Sequence, residues 1–187
     1  MASAVNRPLA TAGLAALLVA LAALPGAAQP GRLERQVKAA FLYKFAGYVD
    51  WPAGAFPDPS TPLRIGVCGD EAMVDELRRL VAGRTSGGRP VDVASVTGVE
   101  APAGIHLLFV ADGAAHRLDG WIEAARQHSV LVVTESPGAL RRGSMINFVP
   151  RDGRVRFEVG LASAEKSGLQ LSSRLLSVAQ AVITRTP

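Results

Sequence analysis

The 187-residue chain is poor in several things that usually announce chemistry. It has one cysteine, Cys68, so no internal disulfide can form and no cysteine pair can hold zinc. It has three histidines, His106, His116 and His128, and no two of them stand at metal-binding helix spacing. No serine lies in a G-x-S-x-G elbow. Asp75 and Glu76 are adjacent on an expected helix and point apart, so they make no glycosidase pair. Gly66 and Gly69 form only a G-x-x-G, one glycine short of a dinucleotide fingerprint. Charged residues are 19% of the chain and the net charge is +4. The positive residues are scattered (Arg78-Arg79, Arg141-Arg142, Arg151, Arg154, Arg156), which gives no nucleic-acid footprint. The expectation is a protein that works without catalysis and without a cofactor or metal.

Long apolar runs are also scarce, and the one exception has its own explanation. Leu9 to Leu24 is an uncharged Ala/Leu-rich stretch behind Arg7, broken by Pro25-Gly26 and followed by Ala28. At 16 residues it is short for a membrane span and suits a secretory signal peptide over residues 1–28. Cleavage near Ala28 would leave a chain starting near Gln29, with its charge reduced from +4 to +3 by loss of Arg7. The remaining length suits one domain, residues 29–187.

What is present reads as alternating strands and helices. Leu33, Val37, Ala40, Phe41 and Phe45 recur at helical spacing up to Val49-Asp50-Trp51-Pro52, where proline stops the pattern. Leu63–Cys68 is an apolar strand, and Asp70 is placed to cap a helix running to about Ala82. Val91 and Val93 alternate as a strand. Ile105–Val110 and Ser129–Thr134 are continuous apolar runs expected of strands buried on both faces, with a helix from about Ala114 to Gln127 between them. Ser144–Val149 and Arg154–Val159 flank Asp152-Gly153, a hairpin signal. A closing helix is expected from Ser172 to Ile183, capped by Ser172 or Ser173. The sum is an α/β fold: a mostly parallel sheet of about six strands, helices on both faces, and a C-terminal hairpin plus helix.

Five of the ten aromatics fall between Phe41 and Trp51. One helix face cannot bury all of them, which leaves Tyr43 and Tyr48 as candidates for a contact surface. In the strand beginning at Arg154, Arg154, Arg156 and Glu158 alternate with Val155, Phe157 and Val159, so one face is wet or faces a partner. Cys68, in an apolar strand, reads as a small buried hydrophobe, with a thiol that joins two copies as the other reading.

Three stretches carry a resemblance: Lys38-Ala39-Ala40-Phe41-Leu42-Tyr43-Lys44-Phe45 with Tyr48-Val49-Asp50-Trp51-Pro52; His106-Leu107-Leu108-Phe109-Val110 with Val130–Thr134; and Gly143–Val149 with Val155–Val159 and Gly168–Leu176. In this order they resemble the YfiR family of periplasmic proteins. The resemblance implies an α/β sandwich that tends to dimerise and has no catalytic residues. It implies a repressor that binds the periplasmic sensor region of an inner-membrane diguanylate cyclase, limits cyclic-di-GMP synthesis and biofilm growth, and is itself sequestered by an outer-membrane lipoprotein. Some members carry a disulfide between the first strand and the strand starting near position 105. Here Ile105 occupies the second position, so redox control by internal bridges is not expected. The alternative is a periplasmic small-molecule binding module that feeds a sensor protein. Its cleft would lie at the carboxyl ends of the strands, near Gly69-Asp70 and Asp112.

Overall fold

A computed structural model describes residues 30–98 and 104–184. The expected signal peptide lies outside the described residues. In chain order the elements are α1 (Pro30–Ala46), β1 (Val49–Asp50), β2 (Leu63–Cys68), α2 (Glu71–Val81), β3 (Thr85–Ser86), β4 (Arg89–Ser95) and β5 (Leu107–Val110). A 3-10 turn, Asp112–Arg117, leads into α3 (Leu118–His128). Then come β6 (Leu131–Thr134), α4 (Ala139–Arg142), β7 (Ile146–Arg151), β8 (Arg154–Gly160), α5 (Leu161–Lys166), β9 (Gln170–Leu171), α6 (Ser173–Val178) and β10 (Ala181–Ile183).

Eight strands form one sheet in the order β10-β8-β7-β6-β5-β2-β4-β3, and β1 pairs with β9 in a small antiparallel ladder. The centre of the large sheet, β4-β2-β5-β6-β7, is parallel. The expected mostly parallel α/β sheet is therefore present, wider than six strands because two short edge strands join it.

The two apolar runs behave as their composition requires. Every residue of β5 and β6 is buried. Alternate side chains enter two separate cores. On one face Leu107, Phe109, Leu131 and Val133 meet α1 and α2 through Leu42, Phe45, Met73, Val74 and Leu77. On the other, Leu108, Val110 and Val132 meet α3 and α4 through Leu118, Trp121, Ile122 and Ala139. Asp70 caps α2, its carboxylate accepting from the Met73 N–H at 3.0 Å.

The β7–β8 hairpin closes as expected on a two-residue turn. Asp152 (φ 52°) and Gly153 (φ 68°) sit between the paired residues Arg151 and Arg154. Positive φ at both positions matches the twist of the flanking strands, and Asp-Gly tolerates it.

Two expectations need correction. The helix expected from Ala114 begins as a 3-10 turn at Asp112 and becomes α-helical only at Leu118. The closing helix expected over 172–183 stops at Val178. Ser172 does cap it, accepting from the Leu175 N–H, but Ala179 turns to extended backbone (φ −67°, ψ 143°). The Gln180 N–H then donates to the Phe157 carbonyl at 2.8 Å, and Ala181–Ile183 lie parallel to Glu158–Gly160. The open edge of β8 offers backbone partners that a further helical turn, with Val178 already 63% exposed, could not match.

Candidate functional site

Open α/β sheets bind ligands in the crevice beyond the carboxyl ends of their parallel strands. Two stretches of that end are built differently. At β2 it is closed. Gly69 (φ 85°) is packed so tightly that a Cβ there would lie 2.7 Å from the Ala114 Cβ. Asp70 is engaged by the α2 cap and by Arg35 at 3.6 Å. The cleft expected near Gly69-Asp70 is therefore filled by the 3-10 turn.

Beyond β5 and β6 the end is open. α1 passes on one side and the β7–β8 hairpin, longer than its parallel neighbours, projects on the other. Between them lies a groove of about 840 Å³. Its apolar lining comes from Leu33, Val37 and Phe41 of α1 and from Phe148, Pro150 and Val155 of the hairpin. Phe41 is locked in an aromatic cluster, 5.7 Å from Phe45 and 5.5 Å from Phe157 between ring centres. Asp112, the other residue named for the expected cleft, does line this groove.

The polar wall is an ion-pair cluster. Lys38 Nζ donates to Glu34 Oε1 at 2.5 Å and to Glu135 Oε2 at 2.7 Å, and Glu135 Oε1 accepts from the Asp112 N–H at 3.1 Å. Burial works against the Lys38 charge, but the hydrogen bonds to Glu135 and Glu34 outweigh it and hold the lysine pKa above its ordinary value. Opposite, Arg154 and Arg156 line the hairpin side, and neither makes an ion pair among the described residues.

The candidate contact residues do not form one patch. Arg154 and Arg156 reach the groove. Glu158 does not line it; it pairs with Ala181 of the edge strand β10. Tyr43 lies about 200° around α1 from Phe41 by helical geometry. Its hydroxyl donates to the Thr85 carbonyl at 2.7 Å, with the Arg84 guanidinium 5.9 Å from its ring. Tyr48 is half-buried against the main core, beside the turn where the Ser172 N–H donates to its carbonyl. Cys68 is 2% exposed; burial pushes its thiol pKa up, and neighbouring Trp121 and Arg117 only partly oppose this. The Lys38–Glu135 pair was not foreseen. Glu34 and Lys38 stand four residues apart, but Glu135 arrives from 97 residues away.

His106 is a structural anchor. The Arg64 N–H donates to its Nδ1 at 3.1 Å, so the proton sits on Nε2, which donates to the Ala55 carbonyl at 3.1 Å. Phe56 stacks on its ring at 4.2 Å, and Arg89 lies 4.1 Å from the Phe56 ring. Burial lowers the His106 pKa; the Ala55 hydrogen bond opposes this, while Arg64 and Arg89 reinforce it.

Residues 35–180 match the family described as DUF4154: YfiR/HmsC-like. The chain belongs to the YfiR/HmsC-like family. That is a regulatory family of the periplasm, not a catalytic one. No curated protein matches the chain. Among solved structures it is similar to a conserved domain protein from Vibrio cholerae O1 biovar El Tor strain N16961, with a TM-score of 0.56 and 12% identity. The likeness covers 79% of this chain and 60% of that one, and at that identity it shows the fold alone. No helix among the described residues of this YfiR-like chain is long and apolar enough to cross a membrane.

Proposed function

We propose that this YfiR-like protein is exported, with its signal peptide cut near Ala28, and represses an inner-membrane signalling protein by binding its periplasmic sensor region. The target is a diguanylate cyclase, and repression limits cyclic-di-GMP synthesis. An outer-membrane lipoprotein sequesters the repressor to relieve the block. The family match across 35–180 carries this reading. The groove adds to it, because α1 and the hairpin present apolar and cationic groups on a rigid base, as recognition surfaces do. A bridge between two copies through Cys68 is not part of the reading, since the thiol is buried.

Deleting the gene tests it. Cellular cyclic-di-GMP is expected to rise and to return to its starting level when the exported protein is restored. An unchanged level sinks the proposal. In a binding assay with the purified periplasmic region of the cyclase, the double substitution Arg154→Glu, Arg156→Glu is expected to weaken capture at least ten-fold. Unchanged capture removes the hairpin from the surface. The second reading, a small-molecule module feeding a sensor, is favoured by one observation, the 840 Å³ groove itself.

A further inference from the structure

We infer that the groove between α1 and the hairpin is a binding site for a small amphiphilic anion, an unbranched carboxylate of medium chain length. The inference stands on the groove alone and holds whether or not the cyclase is the partner.

A volume of about 840 Å³ lies within the range of small-molecule pockets, roughly 300–1,000 Å³. The lining is mainly apolar, and its central residues are held rigidly. Phe148 is 2% exposed and its ring centre lies 6.1 Å from that of Phe41. Leu33, 57% exposed at the mouth, is an apolar group that nothing covers among the described residues. Such walls favour an apolar body.

The charges decide where its polar end goes. Three acids and three bases line the groove, but they are segregated. Glu34 and Glu135 share the single cation of Lys38, so with Asp112 that end of the groove stays net negative. Asp112 and Glu135 stand at the ends of β5 and β6, whereas Arg154 and Arg156 stand on β8. From β5 to β8 is three strand spacings, about 14 Å. The acidic end thus lies two to three strand spacings from the two arginines, and its net negative charge turns an anionic head group away from it. Arg154 and Arg156 make no ion pair among the described residues, and a guanidinium fork suits a carboxylate. The head group is therefore placed at the hairpin and the chain runs over Val155, Phe148 and Phe41 toward Val37.

Decanoate tests this by calorimetry and thermal shift on the purified mature chain. It is expected to bind and raise the melting temperature, with decanol at least ten-fold weaker and acetate without effect. Arg154→Gln with Arg156→Gln should weaken decanoate at least ten-fold while leaving the melting temperature of the free protein unchanged. Val155→Trp, which fills the groove, should abolish binding with the circular dichroism spectrum retained. Vesicles of phosphatidylglycerol should not sediment the protein. Equal affinity for decanoate and decanol, or no loss in the arginine variant, overturns the assignment. So does vesicle capture without decanoate binding. A dimer dissolved by Val155→Trp in a protein that ignores decanoate would also overturn it, and make the groove a contact between two copies.

Discussion

The middle of the sheet and its hairpin side are both built of adjacent strands but differ in what covers them. In β5 and β6 all eight residues are buried, four side chains entering one core and three the other, with the Thr134 hydroxyl hydrogen-bonded to Ser144 and Asn147. In β8 only Phe157, Val159 and Gly160 are buried, while Arg154 and Arg156 stay exposed. A strand covered on both faces has no surface left for recognition. A strand covered on one face, at a sheet margin closed by only three further residues, keeps charged side chains available without loss of core. Burial is thus concentrated in the centre, and exposed cationic side chains at the hairpin, where the proposed recognition surface lies.

The largest effect that could break this contrast is in the centre. Phe109 is fully buried, 6.2 Å from Phe148 between ring centres. Phe109→Ala is expected to cost about 3–5 kcal/mol in urea unfolding. A loss under 1 kcal/mol would mean the centre is not the mainstay of the fold. Next is the seal at the end of β2. Gly69→Ala combines a positive φ with a contact of 2.7 Å, so a loss of about 1–3 kcal/mol is expected, read as a lowered melting temperature. An unchanged melting temperature would show that the 3-10 turn yields easily and that the closed and open ends differ less than their geometry indicates.

A smaller effect sharpens the contrast at the seam where the proline-rich loop joins the sheet. The folded state holds His106 neutral with a lowered pKa, whereas in the unfolded chain it titrates near the ordinary value of about 6.5. The unfolded state therefore takes up the proton first. This contribution to stability is fully present above about pH 6.5 and is lost as pH falls below it, toward the folded pKa. The urea midpoint should drop between pH 7.5 and 5.5, and His106→Gln should flatten that drop. An identical pH dependence in the variant would show that His106 is not the responsible group.

The smallest stability effect belongs to the hairpin. Arg154→Glu with Arg156→Glu is expected to change unfolding free energy by less than about 0.5 kcal/mol per site, because both side chains are exposed and unpaired among the described residues. A large loss would show that these arginines support the fold, and would undo the separation of stability from recognition.

Most of the fold was legible in the residues. The runs at Ile105–Val110 and Ser129–Thr134 read as strands buried on two faces, and they hold β5 (Leu107–Val110) and β6 (Leu131–Thr134); Asp152-Gly153 marks its turn. The site was less legible. Alternation points to Arg154 and Arg156, which line the groove, whereas Tyr43 and Tyr48 stand out only because one helix face cannot bury five aromatics. In the fold, Tyr43 is half-buried with its hydroxyl bonded to Thr85, and Tyr48 packs on the main core. Lys38 offered only its helical neighbour Glu34 as a clue.

Local pattern by itself determined the first two helices and the central strands, because side-chain periodicity and turn chemistry are properties of neighbouring residues. It also determined that Asp70 caps α2. Tertiary structure decided the rest. Ala181–Ile183 became a strand because β8 had an unpaired edge to satisfy. The end of β2 closed and that of β5 and β6 opened because Ala114 fills one while α1 and the hairpin stand apart at the other. Lys38 met Glu135 because strand order carries residue 135 beneath α1. Each of these depends on groups far apart in the chain competing for the same space and the same hydrogen bonds, which no short stretch of residues encodes.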